Sequence, residues 1–185
     1  MSAARLCLAA MVAAGACAIL AGPAAAASGP SVKLYDDCEP ASFNAAIAPG
    51  TCVGDGRTQF ADFIASLIAT KNEPDWRFEP GARTINAGQS LDVRNHGGEF
   101  HTFTDVTKTG FTPGCVDVLN VIVFGSPELG PACSQTVPGT GEPVIVASGV
   151  DPGERKSFRP AEAGTHLFQC LIHPWMRAEV RVRAD

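Results

Sequence analysis

The chain has 185 residues, 45% of them hydrophobic and 18% charged, with a formal net charge of −5. That length suits one domain with a real core. The acidic balance excludes nucleic acid as an expected partner.

Residues 1–27 are expected to be a secretory signal peptide. Arg5 precedes an apolar run from Leu6 to Leu20, Gly22-Pro23 breaks it, and Ala24–Ala27 offers a small-residue cleavage site before Ser28. The run is short for a membrane span, so no span is expected after cleavage. The mature chain of about 158 residues then carries 13 basic against 19 acidic side chains. It is expected to be an exported monomer, periplasmic or secreted.

Residues 28–75 read as an N-terminal extension. It has a short strand candidate at Val32–Tyr35, a possible disulfide loop and one amphipathic helix at Thr58–Thr70. There Phe60, Phe63, Ile64, Leu67 and Ile68 recur at helical spacing. Thr58 or Asp55 offers a cap, and Pro74 forbids continuation.

From Trp76 the period changes to two, and residues 76–185 read as one β domain. Strands are expected at Trp76–Phe78, Arg83–Asn86, Ser90–Asn95 and Phe100–Val106, with Gly97-Gly98 as a turn or bulge. Residues 107–142 read as a long irregular connection in which Val116–Phe124 is a strand or a short helix. Further strands are expected at Pro143–Ser148, Arg155–Arg159, Gly164–Cys170 and Arg177–Arg183. Together these suggest an all-β fold, a Greek-key antiparallel β-sandwich. Its last two strands are joined at one pole by residues 170–176.

That loop carries the chemistry. Cys170, His173 and Met176 stand at three-residue steps and offer a thiolate, an imidazole and a thioether. Copper cycling between Cu(I) and Cu(II) is suited by a thiolate, two neutral imidazoles and a long axial thioether. The missing imidazole must come from elsewhere. His166 lies too close on the preceding strand, and His96 sits in a turn. His101, held within an alternating strand, is the better candidate.

The cysteine count agrees. Five cysteines lie beyond residue 27, an odd number for an exported chain. If Cys170 stays a free thiolate, the other four can form two disulfides in an oxidising compartment. Local pairing, Cys38–Cys52 and Cys115–Cys133, is favoured among the three possible connectivities.

The segments Asn95-His96-Gly97-Gly98-Glu99-Phe100-His101-Thr102-Phe103 and Gly164 to Arg177, ending Cys-Leu-Ile-His-Pro-Trp-Met-Arg, resemble the cupredoxins, the small blue-copper proteins. The pattern is similar to that of amicyanin, plastocyanin and pseudoazurin. Every fixed position of the compact C-x-x-H-P-x-M loop is present. The resemblance implies one type 1 copper ion held by His101, Cys170, His173 and Met176. It implies a soluble electron carrier whose redox partner docks on Pro174 and Trp175 around an exposed His173 ring edge. The residue after the first ligand is often Asn in the family, and here it is Thr102.

No enzyme is expected. There is no His-x-His pair for a trinuclear copper centre, no second loop cysteine for a binuclear one, and no G-x-S-x-G or H-E-x-x-H motif. The alternative reading is an exported copper-binding or copper-handling protein without a redox partner.

Overall fold

A computed structural model describes residues 29–160 and 162–184; the expected signal peptide lies outside them. In chain order the elements are β1 (Ser31–Tyr35), α1 (Pro40–Ala46), α2 (Phe60–Thr70), β2 (Arg77–Glu79), β3 (Ala82–Asn86), β4 (Leu91–Asn95), β5 (His101–Thr102) and β6 (Thr104–Asp105). Then follow α3 (Asp117–Phe124), a 3-10 turn (Pro131–Ser134), α4 (Val144–Ala147), β7 (Gly149–Val150), β8 (Arg155–Phe158), β9 (Gly164–Gln169) and β10 (Arg177–Arg183). Among the described residues no helix is long and apolar enough to cross a membrane.

The protein is rich in β-structure, with mixed sheets and a few helices. One four-stranded sheet runs β2-β1-β4-β8 and the other β3-β10-β9-β6, while β5 and β7 form a short pair. The antiparallel expectation is corrected here. β1 lies parallel to β4, with Val32 beside Val93, and β10 lies parallel to β3, with Val182 beside Ile85. Alternation tells which side chains turn inward and leaves strand direction open. The inward residues Val32, Leu34, Leu91 and Val93 of the first sheet join Ile85, Phe168, Ala178, Val180 and Val182 of the second in one apolar cluster. Phe103 joins them, stacked on Phe168 at 4.2 Å between centroids and edge-on to Phe158 at 5.3 Å.

Three further expectations change. Phe100–Val106 is not one strand: β5 pairs with β7 and β6 with β9, and at Phe103 the chain passes between them. Pro143–Ser148 winds into α4, because the Ser148 hydroxyl donates back to the Val144 carbonyl at 2.7 Å and Val146 faces solvent. Val116–Phe124, left between strand and helix, is the helix α3.

The first disulfide, Cys38–Cys52, encloses one helix, α1, and a second, α2, follows it. α1 starts where Glu39 accepts from the Ala41 and Ser42 amides and Pro40 opens the first turn. α2 begins at Phe60, two residues later than expected, because the Thr58 hydroxyl donates to Asp37 instead of capping it. It ends at Lys71, in the left-handed region with φ 62°, ahead of Pro74. Phe63 and Leu67 are buried, whereas Ile68 is exposed. The disulfides are Cys38–Cys52 and Cys115–Cys133, and Cys170 is free and buried.

Candidate metal centre

Cys170 follows the last residue of β9, and β10 starts at Arg177, so the loop between two paired strands is short. It closes on itself: the Met176 amide donates to the His173 carbonyl at 2.9 Å, and the Cys170 amide donates to the Met176 carbonyl at 3.1 Å. The other half of the site comes from β5, which places His101 with no solvent exposure.

Three donors meet. His101 Nδ1 lies 3.2 Å from His173 Nδ1, and each lies 3.9 Å from Cys170 Sγ. The in-plane centre of that triangle is about 2.1 Å from every corner. Metal bonds to imidazole run about 2.0–2.1 Å and to thiolate about 2.3 Å. The donor set and its spacing therefore fit a metal ion held in a plane of two nitrogens and one sulfur, the arrangement of His2Cys copper sites. Met176 is buried in the same apolar cluster as Cys170. The other histidines are not drawn in. His96 is exposed and stacked on Tyr35 at 5.4 Å, and His166 lies between Asp105 and the Glu162 carbonyl.

Each donor is held from behind. The Thr102 and His173 amides point at Cys170 Sγ, at 3.4 and 3.5 Å. The Thr102 hydroxyl accepts from the Leu171 amide at 2.8 Å and takes a bond from the Thr104 hydroxyl at 3.0 Å. It thus ties the segment of His101 to that of Cys170. Asp36 Oδ2 sits 2.8 Å from His101 Nε2, its side chain 1% exposed. Asp36 also accepts from the Gly98 and Glu99 amides. A side chain at position 97 would collide with the Asp36 carboxylate, so the close approach demands glycine there. On the other flank Glu99 Oε2 lies 3.6 Å from His173 Nε2 and accepts from Trp76 Nε1 at 2.6 Å.

The charges are mutually supporting. Burial works against the Asp36 carboxylate, yet the His101 bond, its charge and two amides lower its pKa to about 2. Burial also disfavours the imidazolium of His101, but Asp36 and the Cys170 sulfur raise it to about 10. Desolvation opposes the Cys170 thiolate, and His101 and His173 outweigh it, holding the thiol well below its ordinary range. Glu99 is raised, chiefly by burial.

One expectation is corrected. His173 does not present an exposed edge: it is 3% exposed, Pro174 is buried and Trp175 is partly buried. The reason is α2, whose Phe63 packs edge-on against His173 (6.4 Å between centroids) and at a tilt against Trp175 (5.9 Å). Phe43 of α1 stacks on Trp76 behind it. The N-terminal helices and their disulfide form a roof over the centre.

Sequence reasoning missed α1, Asp36, Glu99 and Trp76. Glu99 carried a signal only in standing two residues before His101, since it lies outside β5. Asp36 carried none, being 65 residues from its partner. Asp36→Asn is expected to lower metal affinity roughly 10–100-fold, as loss of an outer carboxylate on a ligating histidine does. A competitive chelator titration would measure it, and an unchanged affinity would remove Asp36 from this role.

No family model matches the chain, and no curated protein sequence matches it. Solved structures do align with it. The purple cupredoxin of Nitrosopumilus maritimus aligns at 12% identity over 83% of this chain and 99% of that one, with a TM-score of 0.41. Oxidised plastocyanin from Dryopteris crassirhizoma aligns at 14% over 83% and 99%, with a TM-score of 0.37. A reduced amicyanin mutant aligns at 19% over 58% and 73%, with a TM-score of 0.35.

Proposed function

We propose that this chain is a mononuclear type 1 copper protein, an exported electron carrier and not an enzyme. The observation that carries the reading is the buried triangle of His101 Nδ1, Cys170 Sγ and His173 Nδ1, sized for one ion. Met176, by its place in the loop, would supply the thioether. Copper bound there would supply a one-electron couple between Cu(I) and Cu(II).

The residues of the chain do the rest. Cys170 is poised as a thiolate by its two histidines and two amides. Asp36 fixes the His101 ring and Glu99 flanks the His173 ring, so both imidazoles keep Nδ1 inward. Thr102 holds the two halves in register. The apolar roof of Phe63, Trp76 and Trp175 keeps water out. Ligands that stay put in both oxidation states reorganise little, which favours electron transfer over hand-over of the metal. A copper-handling protein needs ligands that open. Two disulfides support export to an oxidising compartment.

The test is to purify residues 28–185, add one equivalent of Cu(II) and record the visible spectrum and a voltammogram. An intense thiolate-to-copper band and a reversible one-electron wave are expected. Weak, colourless binding would overturn the copper assignment, and a coloured site that releases its metal on reduction would favour the copper-handling alternative.

A further inference from the structure

The outer face of the β2-β1-β4-β8 sheet carries an arrangement that folding alone does not favour. Lys33 of β1 stands directly beside Arg94 of β4, and Arg94 directly opposite Arg155 of β8. All three are exposed. Like charges directly opposite on neighbouring strands destabilise a sheet. Here three cations run in register across three strands of a chain whose net charge is negative. Two carboxylates share this face: Asp92 pairs with Arg155 of the row itself at 3.2 Å, and Glu79, directly opposite Lys33 on β2, pairs with Arg77 at 3.2 Å. Among the described residues no carboxylate pairs with Lys33 or Arg94. These side chains line a shallow depression of about 280 Å³ together with Ser31, Asp92 and His96. Desolvation, then Arg94 and Lys33, lower the pKa of His96, as a cationic surrounding would.

The row also leads to the metal centre. In the next row, Arg77 lies over the Tyr35 ring at 4.7 Å and His96 stacks on its plane. Tyr35 is followed directly by Asp36, the carboxylate on His101. The centre is buried on this side as well, His101 having no exposure and the Asp36 side chain 1%.

We infer that this face is the docking surface for an acidic patch on a partner protein. Of the exposed large apolar residues, Val53 borders this face, sharing a depression with Arg94 and His96, while Ile47, Ile68, Val118, Val121 and Leu129 lie on other elements. One valine is too little apolar surface to insert into a bilayer, and a carboxylate-bearing protein surface fits the face better than a membrane. As the seat of an electron-transfer partner it rests on the carrier reading; as an anion-binding face it does not.

The experiment is backbone amide shift mapping with hexaglutamate peptide as probe, on copper-free and copper-loaded protein, at about 20 mM and 0.5 M salt, since screening collapses such contacts at high salt. Shifts confined to residues 31–36, 92–96 and 155–157, lost at high salt, are expected. Lys33→Gln/Arg94→Gln is expected to weaken binding at least tenfold while its melting temperature stays equal or rises, because repulsion is relieved. Absent or scattered shifts would overturn the proposal. So would a variant that binds as before, or phosphatidylglycerol vesicles that bind this face while hexaglutamate does not. Failure of the copper reading shows separately, as a missing visible band with the mapping intact.

Discussion

Cys170→Ala is expected to leave a folded protein that takes up Cu(II) without intense colour. The visible band of a copper thiolate needs the sulfur, and Cys170 is the free cysteine among the described residues. Affinity should fall further than the roughly 10–100-fold that follows loss of an outer partner, because a direct ligand is gone and two imidazoles remain. The fold should survive. The side chain is fully buried, and removing one sulfur leaves a small cavity worth about 1 kcal/mol. The pair of measurements is a copper titration followed at visible wavelengths and a urea melt of the metal-free protein. Retained intense colour would take Cys170 out of the ligand set.

The second large effect is on stability. Cys38→Ser/Cys52→Ser and Cys115→Ser/Cys133→Ser each open a loop, with sequence separations of 14 and 18. Closing a loop of about 15 residues restricts the unfolded chain by about 3 kcal/mol, and the longer loop by slightly more. Each variant is expected to melt roughly 6–12 °C lower. Both should also disturb the centre, from opposite sides. Cys52 bridges to Glu99, and the Val53 amide donates to the Gly98 carbonyl, just behind His101. The Cys115 amide donates to the Leu171 carbonyl, inside the ligand loop. A shifted or broadened visible band in both is the expected spectroscopic sign. A melting temperature unchanged in either would show that its disulfide carries no stability.

Much of the centre was legible in the sequence because three of its four proposed ligands fall within seven residues, where spacing alone constrains geometry. His101 was legible because residues 100–106 alternate like a strand, although the strand there, β5, spans only His101–Thr102 and both its side chains are buried. The surroundings were not. Asp36 reaches His101 through the parallel pairing of β1 with β4, and a period of two says nothing about which strand lies alongside or in which direction. The roof was half legible. The apolar stripe of α2 could be read from Phe60, Phe63, Ile64 and Leu67, but that it lands on His173 could not. α1 is only seven residues long, and its Pro-Ala-Ser start reads like any irregular lead-in. α4 was misread because Val144-Ile145-Val146 favours a strand by residue type, whereas the Ser148 hydroxyl and the packing of Val144 and Ile145 on a small satellite core decide the local winding.

The roof has an optical consequence. The chain contains two tryptophans, and both belong to it: the Trp76 indole is bonded to Glu99, and Trp175 lies 5.4 Å from the His173 ring, centroid to centroid. Near-ultraviolet emission from indole therefore comes entirely from the walls of the centre. An ion with an unpaired electron or a strong visible transition, seated a few ångströms away, drains that emission from both at once. Fluorescence of the unlabelled protein would then follow the Cu(II)-loaded fraction, dim with Cu(II) and brighter when the site is empty or holds Cu(I), which lacks both properties.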